Sequence, residues 1–134
     1  MSVIIGLVGH CGPDSYMLRS AVKYAVREAE VRMLNHNGDV DAAVRAGARV
    51  LLINRLLDGD FEEDGGIDLI RRAKADWPDV RCVLVSNYAD AQQAAIEAGA
   101  LPGFGKNQIG SPHMKHVLEM ALAPADAPAK ADKT

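Results

Sequence analysis

The run Val50-Leu51-Leu52-Ile53-Asn54 is apolar without interruption until it closes on a single polar side chain. Runs of the same kind precede it at residues 3–8 and follow it at 80–86. A short apolar run with no alternation, bounded by turn residues, reads as a strand buried on both faces, as at the centre of a parallel sheet. The residue that ends such a strand points into the crevice where α/β proteins bind ligands and do chemistry. In this chain that residue is Asn54.

The segments between the runs carry helical periodicity. Met17, Leu18, Ala21, Val22, Ala25 and Val26 form a stripe after Pro13, which suits a first helical turn, with Asp14 or Ser15 to serve the free N–H groups there. A short strand is predicted at 31–34. The turn residues Asn35-His36-Asn37-Gly38-Asp39 then lead into a helix that carries Val40, Ala43 and Val44 and stops at Gly47. A long acidic loop, 57–66, precedes a helix holding Ile67, Ile70 and Ala73, which ends before Pro78. An alanine-rich helix at 89–98, a weak fifth strand at 100–105 and a last helix from Ser111-Pro112 complete the pattern. Residues 124–134 contain almost no large apolar group and are expected to be a disordered tail or a linker, leaving 1–123 as the domain.

Five strands alternating with five helices imply a three-layer α/β sandwich. The right-handed crossover rule favours the flavodoxin-like order 2-1-3-4-5. The strand ends then carry His10 and Cys11, Asn54, Ser86 and Lys106 to one crevice, which is the candidate site.

Composition excludes several function classes. Of 134 residues, 49% are hydrophobic and 25% charged, as in an ordinary globular domain, and the net charge of −3 offers no case for nucleic acid or an anionic membrane as partner. No apolar run approaches the length of a membrane span, and the start of the chain has no signal-peptide pattern, so a cytoplasmic setting is expected. Cys11 and Cys82 are expected to be free thiols.

At these positions the chain resembles a response-regulator receiver domain, up to about Leu122. The resemblance rests on Asn37-Gly38 after the second strand, Asp64-Gly65 opening the third helix, Ser86, Glu97-Ala98-Gly99-Ala100 and Lys106. It implies that an acidic pair after strand one and an aspartate ending strand three hold Mg²⁺, that this aspartate accepts a phosphoryl group from a histidine kinase, and that Ser86 and Lys106 match the residues binding the phosphoryl oxygens. By position the acidic pair falls on His10 and Cys11, and the acceptor falls on Asn54. Gly103 stands where the family has an aromatic switch residue, with Phe104 next to it as a displaced substitute. Asn107 replaces the usual proline, and the loop after Asn54 is longer than usual.

These departures concern the chemistry. Mg²⁺ wants hard oxygen ligands, whereas imidazole and thiol are softer. An asparagine amide is neutral and a poor nucleophile. The expectation is therefore a pseudo-receiver: a non-catalytic regulatory domain with a degenerate phosphorylation pocket, no Mg²⁺ and no catalytic residue. It would act through a protein partner or as a homodimer over the fourth helix, fifth strand and fifth helix, residues 89–123. Lys106, lacking the family's carboxylates, needs a counter-ion, either Asp58 or Asp60 folding back or a bound anion helped by helix N–H groups.

Other readings stay open. Asp58 or Asp60 is a candidate relocated phosphoacceptor. Cys11, between a strand and a helix start and next to His10, sits where a thiol pKa is lowered, and supports a phosphocysteine or thiol enzyme. Against it, the low-molecular-weight tyrosine phosphatase signature needs an arginine nearer than Arg19, and only Gly12 and Ser15 partly fit the sugar-phosphotransferase IIB proteins. His10, Cys11 and His36 make no zinc motif. The alternating acids 58–64 lack a calcium loop's closing glutamate, and His113 and His116 read as helix surface. The B₁₂-binding signature is missing, and Gly6, Gly9 and Gly12 have the wrong spacing for a dinucleotide fingerprint.

Overall fold

The computed structural model describes residues 2–124. The predicted tail lies outside them except for Pro124. Strand β1 (Val3–Val8) leads to helix α1 (Gly12–Ala25), β2 (Ala29–Leu34), α2 (Asn37–Arg45), β3 (Val50–Asn54), α3 (Gly66–Asp76), β4 (Arg81–Val85), α4 (Ala89–Glu97), β5 (Leu101–Phe104), one 3₁₀ turn (Lys106–Gln108) and α5 (Pro112–Leu122). The strands are all parallel, in the order β2-β1-β3-β4-β5. The sequence pattern placed every strand and every α-helix but not the 3₁₀ turn. It started β2 two residues late and ran β4 and β5 one residue too far at each end.

Strand parity distributes the core. Ile5, Leu7, Val50, Leu52, Val83 and Val85 face α1 and α5, whereas Val8, Leu51, Ile53, Cys82 and Leu84 face α2, α3 and α4. All five residues of β3 are buried, as an uninterrupted apolar run requires. Phe104 is only 1% exposed and belongs to the α1–α5 core, packed with Met114 and Leu118. Its ring faces that core and not the α4 side of the sheet. A phenyl ring on that face of β5 is held by the core.

The weakest pairing is β4 with β5, where the register shifts between Val83 and Val85. Pro102 has no N–H for the ladder, which accounts for the irregularity. Burial pushes the Cys82 thiol up to about 11, so it stays protonated. No described helix is long and apolar enough to cross a membrane.

Candidate functional site

Asn54, Ser86 and Lys106 line one cavity of about 350 Å³ at the carboxyl ends of β3, β4 and β5, together with Arg55, Asn87 and Tyr88. The Arg55 guanidinium stacks over the Tyr88 ring, 4.7 Å from its centre. Ser86 is buried, and its Oγ accepts the Tyr88 backbone N–H at 3.2 Å. Asn54 is buried too, and its amide nitrogen donates to the carbonyls of Gly9 (3.0 Å) and Leu56 (2.7 Å). These two acceptors fix the amide's orientation, because the reverse would set its oxygen against two carbonyl oxygens. A carboxylate, which only accepts hydrogen bonds, cannot make this clasp.

His10 is not part of that cavity. Its ring is buried, and Nε2–H donates to the Leu52 carbonyl at 2.8 Å. Burial pulls its pKa below the usual histidine range and the Lys106 charge adds to this, outweighing the Leu52 bond, which works in the opposite direction. The imidazole is therefore neutral and spent on the backbone of β3. It borders a separate hollow of about 460 Å³ with Ser15, Tyr16, Asn35 and Asp58.

The long loop after Asn54 separates the two spaces by crossing the end of β1. Asp58 N–H donates to the Gly9 carbonyl and Asp60 N–H to the Asn35 carbonyl, both at 2.8 Å, and residue 60 bridges to His36 as a strand would. Gly9 has φ +73°, and a Cβ there would lie 2.7 Å from a Leu57 methyl and 3.0 Å from its Cα. Glycine therefore stands at the end of β1 because Leu57 packs onto it. Asn37 ties down the far side of the loop, accepting Glu62 N–H and donating to Glu63, both at 2.8 Å. Burial alone would raise the Glu63 pKa. Hydrogen bonds from Asn37, from its own N–H and from Arg72 reverse that and lower it. Arg72 also reaches Asp41 and Asp76 and stacks on Trp77.

The partner of Lys106 is Asp14, at 2.9 Å, and neither Asp58 nor Asp60. The reason is geometric: α1 starts beside the end of β5, whereas the acidic loop is held over β1 and β2. The Lys106 hydrogen bond holds the Asp14 carboxyl below the usual aspartate range, with lesser help from the neighbouring Cys11 thiol. Cys11 is half-buried at the N-cap of α1 and makes no capping bond. His36, weighed as a metal ligand, caps α2 through Nδ1 and pairs with Asp39.

A second polar clasp holds the β5 edge. Gln92 of α4 directs its amide nitrogen at the carbonyls of Leu84 (2.9 Å), Ser86 (3.0 Å) and Phe104 (3.3 Å). The Phe104 carbonyl already takes the Ser86 backbone N–H at 3.0 Å, so the amide adds a second donor there. Gly103 is what admits it, since a Cβ there would lie 2.7 Å from Gln92 Oε1 and 2.2 Å from the Leu84 carbonyl oxygen. From the other side, His113 Nε2 pairs with the Gly103 carbonyl at 3.0 Å. Asp14, Gln92 and Arg72 are thus central residues that the sequence did not single out for these roles. Only the position of Asp14 in a first helical turn hinted at one.

The Mg²⁺ ion that the family resemblance places here asks for oxygen ligands, carboxylates foremost. Positions 10, 11 and 54 offer an imidazole, a thiol and an amide turned toward carbonyls, while Asp14 is engaged by Lys106. These residues do not fit the ion. Among the described residues, no three His, Cys, Asp or Glu side chains converge as a metal site.

No protein-family model matches the chain, and no curated protein matches it. Solved structures do. NtrX from Brucella abortus superposes with a TM-score of 0.75 at 22% identity over 91% of this chain, which spans only 28% of the NtrX chain. A response regulator from Thermotoga maritima gives 0.72 at 15% identity, covering 90% of this chain and 98% of that one. The non-phosphorylated receiver domain of RcsB from Escherichia coli gives 0.70 at 16%, covering 89% and 92%. At these identities the shared property is the fold, and this chain has the receiver-domain fold.

Proposed function

We propose that this domain is a pseudo-receiver, a signalling module of receiver fold that works through protein contacts and takes no phosphoryl group at the end of its third strand. The observation that carries the reading is the Asn54 amide. Both its N–H groups are committed to the Gly9 and Leu56 carbonyls, so the position where the family resemblance expects an anionic nucleophile is a neutral donor that ties the loop to β1. Leu57, packed on Gly9, covers the end of β1 beside that position.

The same reading assigns the partner contact to the face made by α4, β5 and α5. Gln92 and His113 stitch that face together through backbone carbonyls, which suits a surface presented in one arrangement. A cytoplasmic setting follows from the proposed signalling role.

The test is incubation with acetyl phosphate and Mg²⁺, followed by intact mass and site mapping. Unmodified protein is the expected result. A phosphoryl group on Asp58 or Asp60 would establish a relocated acceptor and overturn the proposal. One on Cys11 would move the protein to the phosphocysteine class.

A further inference from the structure

The hollow of about 460 Å³ over the ends of β1 and β2 has no part in the crevice chemistry. Its volume lies within the ~300–1,000 Å³ of small-molecule sites. The one buried residue in its lining is His10, only 5% exposed, whose Nε2–H is bonded to the Leu52 carbonyl. That bond fixes the tautomer of the neutral ring, so Nδ1 carries a lone pair and can only accept. Nδ1 has no partner among the described residues. It is not sealed in either, since the fully buried side-chain nitrogen or oxygen without a partner there is Gln92 Oε1. The Nδ1 lone pair is thus open to the hollow that its ring lines.

The other polar side chains of the lining offer acceptors as well. Ser15 Oγ gives its proton to the His10 carbonyl at 3.1 Å, which leaves its own lone pairs. Asp58 is held by its backbone N–H, and its carboxylate has no hydrogen bond or ion pair among the described residues. Asn35 likewise bonds through its backbone, so its amide oxygen is free to turn inward. Tyr16 and Met33 supply the apolar part of the wall, a ring face and a thioether.

We infer that this hollow binds a small organic ammonium ion, an amine with a short apolar body. Lone pairs gathered around one space call for N–H donors, and the unpaired Asp58 carboxylate favours a cation over a neutral donor. An ammonium group carries three donors on one charge, enough for His10 Nδ1, Ser15 Oγ and Asp58. Its apolar body then lies against Met33 and the Tyr16 ring, whose face also attracts the charge. The N-terminus of α1 would draw an anion to the same end of the helix, but the Asp14 carboxylate already sits in that first turn.

Neither Asn54 nor the α4–β5–α5 face lines the hollow, so this site and the proposed function can fail separately.

Titration of the full chain with phenethylamine at neutral pH, without phosphodonor or Mg²⁺ and followed by ¹H–¹⁵N NMR, tests the site. The expected result is saturable shifts at Met33, Asn35, Asp58 and Gly59, together with a shift of the His10 Nδ1 resonance as its lone pair takes up a hydrogen bond. Phenethyl alcohol, of the same body but without charge, should bind about tenfold more weakly, and phenylacetate should not bind. Asp58→Asn keeps the backbone bond to Gly9 and should weaken the amine about tenfold, to the level of the alcohol. Should that variant misfold, the three ligands compared on the parent chain decide alone. An amine that does not saturate, that binds no better than the alcohol or the acid, or that leaves His10 Nδ1 unmoved overturns the inference. So does a folded Asp58→Asn that binds the amine as tightly as the parent.

Discussion

The two halves of the strand-end crevice are built on opposite plans. Over β1 and β3 the crevice is closed: Leu57 lies on Gly9, His10 turns inward to Leu52, and the loop is pinned to Gly9, Asn35 and Asn37. Over β4 and β5 it stays open, with Ser86, Arg55 and Lys106 around a cavity. Asn54 belongs to both halves, since it lines the cavity and its amide holds the roof of the closed side. The chemistry a crevice permits thus depends on what its polar groups are already bonded to as much as on which groups are present.

The closed half should be the more sensitive to substitution. Gly9→Val imposes a left-handed φ on a β-branched residue and drives it into Leu57. It should cost about 3–5 kcal/mol, read as a fall in the urea midpoint at constant slope. Asn54→Asp should cost about 2–3 kcal/mol at neutral pH, because it loses two buried hydrogen bonds and sets an anion against two carbonyl oxygens. Those surroundings raise the new carboxyl's pKa in the folded state, so the folded protein holds the proton more tightly than the unfolded chain does. Stability then falls as pH rises through the two pKa values, and the deficit relative to the parent should shrink in acid. A deficit that does not change with pH would mean that the loop swings away and the closure is loose.

The open half should respond more mildly. Gln92→Leu removes the donor shared by three carbonyls. It should cost about 1–2 kcal/mol and speed hydrogen exchange in α4 and β5 while leaving β1 and β2 unchanged. The smallest effect belongs to Asp14→Asn. Its partner Lys106 is 37% exposed, so solvent screening holds the pair to under about 1 kcal/mol. Because the Asp14 carboxyl is held below its ordinary value, that contribution is fully present above the unfolded pKa near ~3.9 and is lost as pH falls through the folded one. The variant should therefore show a flatter acid limb. By freeing the Lys106 charge, it should also bind inorganic phosphate more tightly than the parent. Equal phosphate binding would show that Asp14 does not compete for that lysine.

Most of the fold was legible because apolar runs and helical stripes are local signals. The run at residues 50–54 announced a central strand, and Gly47 and Pro78 marked where helices end. The least regular pairing, β4 with β5, lies where the sequence signal was weakest, and its strands were placed one residue too long at each end. The face that Phe104 takes was not legible, because one phenyl ring in a short strand does not reveal it. The counter-ion of Lys106 was missed because Asp14 is 92 residues away in sequence, and only the packing of α1 against the end of β5 makes them neighbours. Asp58 and Asp60 looked nearer to the site, but their backbone N–H groups are spent on Gly9 and Asn35.

By itself the sequence determined the layers, the strand order and the absence of carboxylates at positions 10, 11 and 54, since hydrophobic period and side-chain identity are properties of the chain alone. Tertiary structure decided what the substitutes do. His10 became a buried donor to β3, Asn54 a clasp on two carbonyls, Gly9 and Gly103 the clearances for Leu57 and Gln92, and Asp14 the mate of Lys106. Each of these roles is a hydrogen bond or a close contact between segments distant in sequence. The partner that completes such a contact exists only once the strands have brought their ends together.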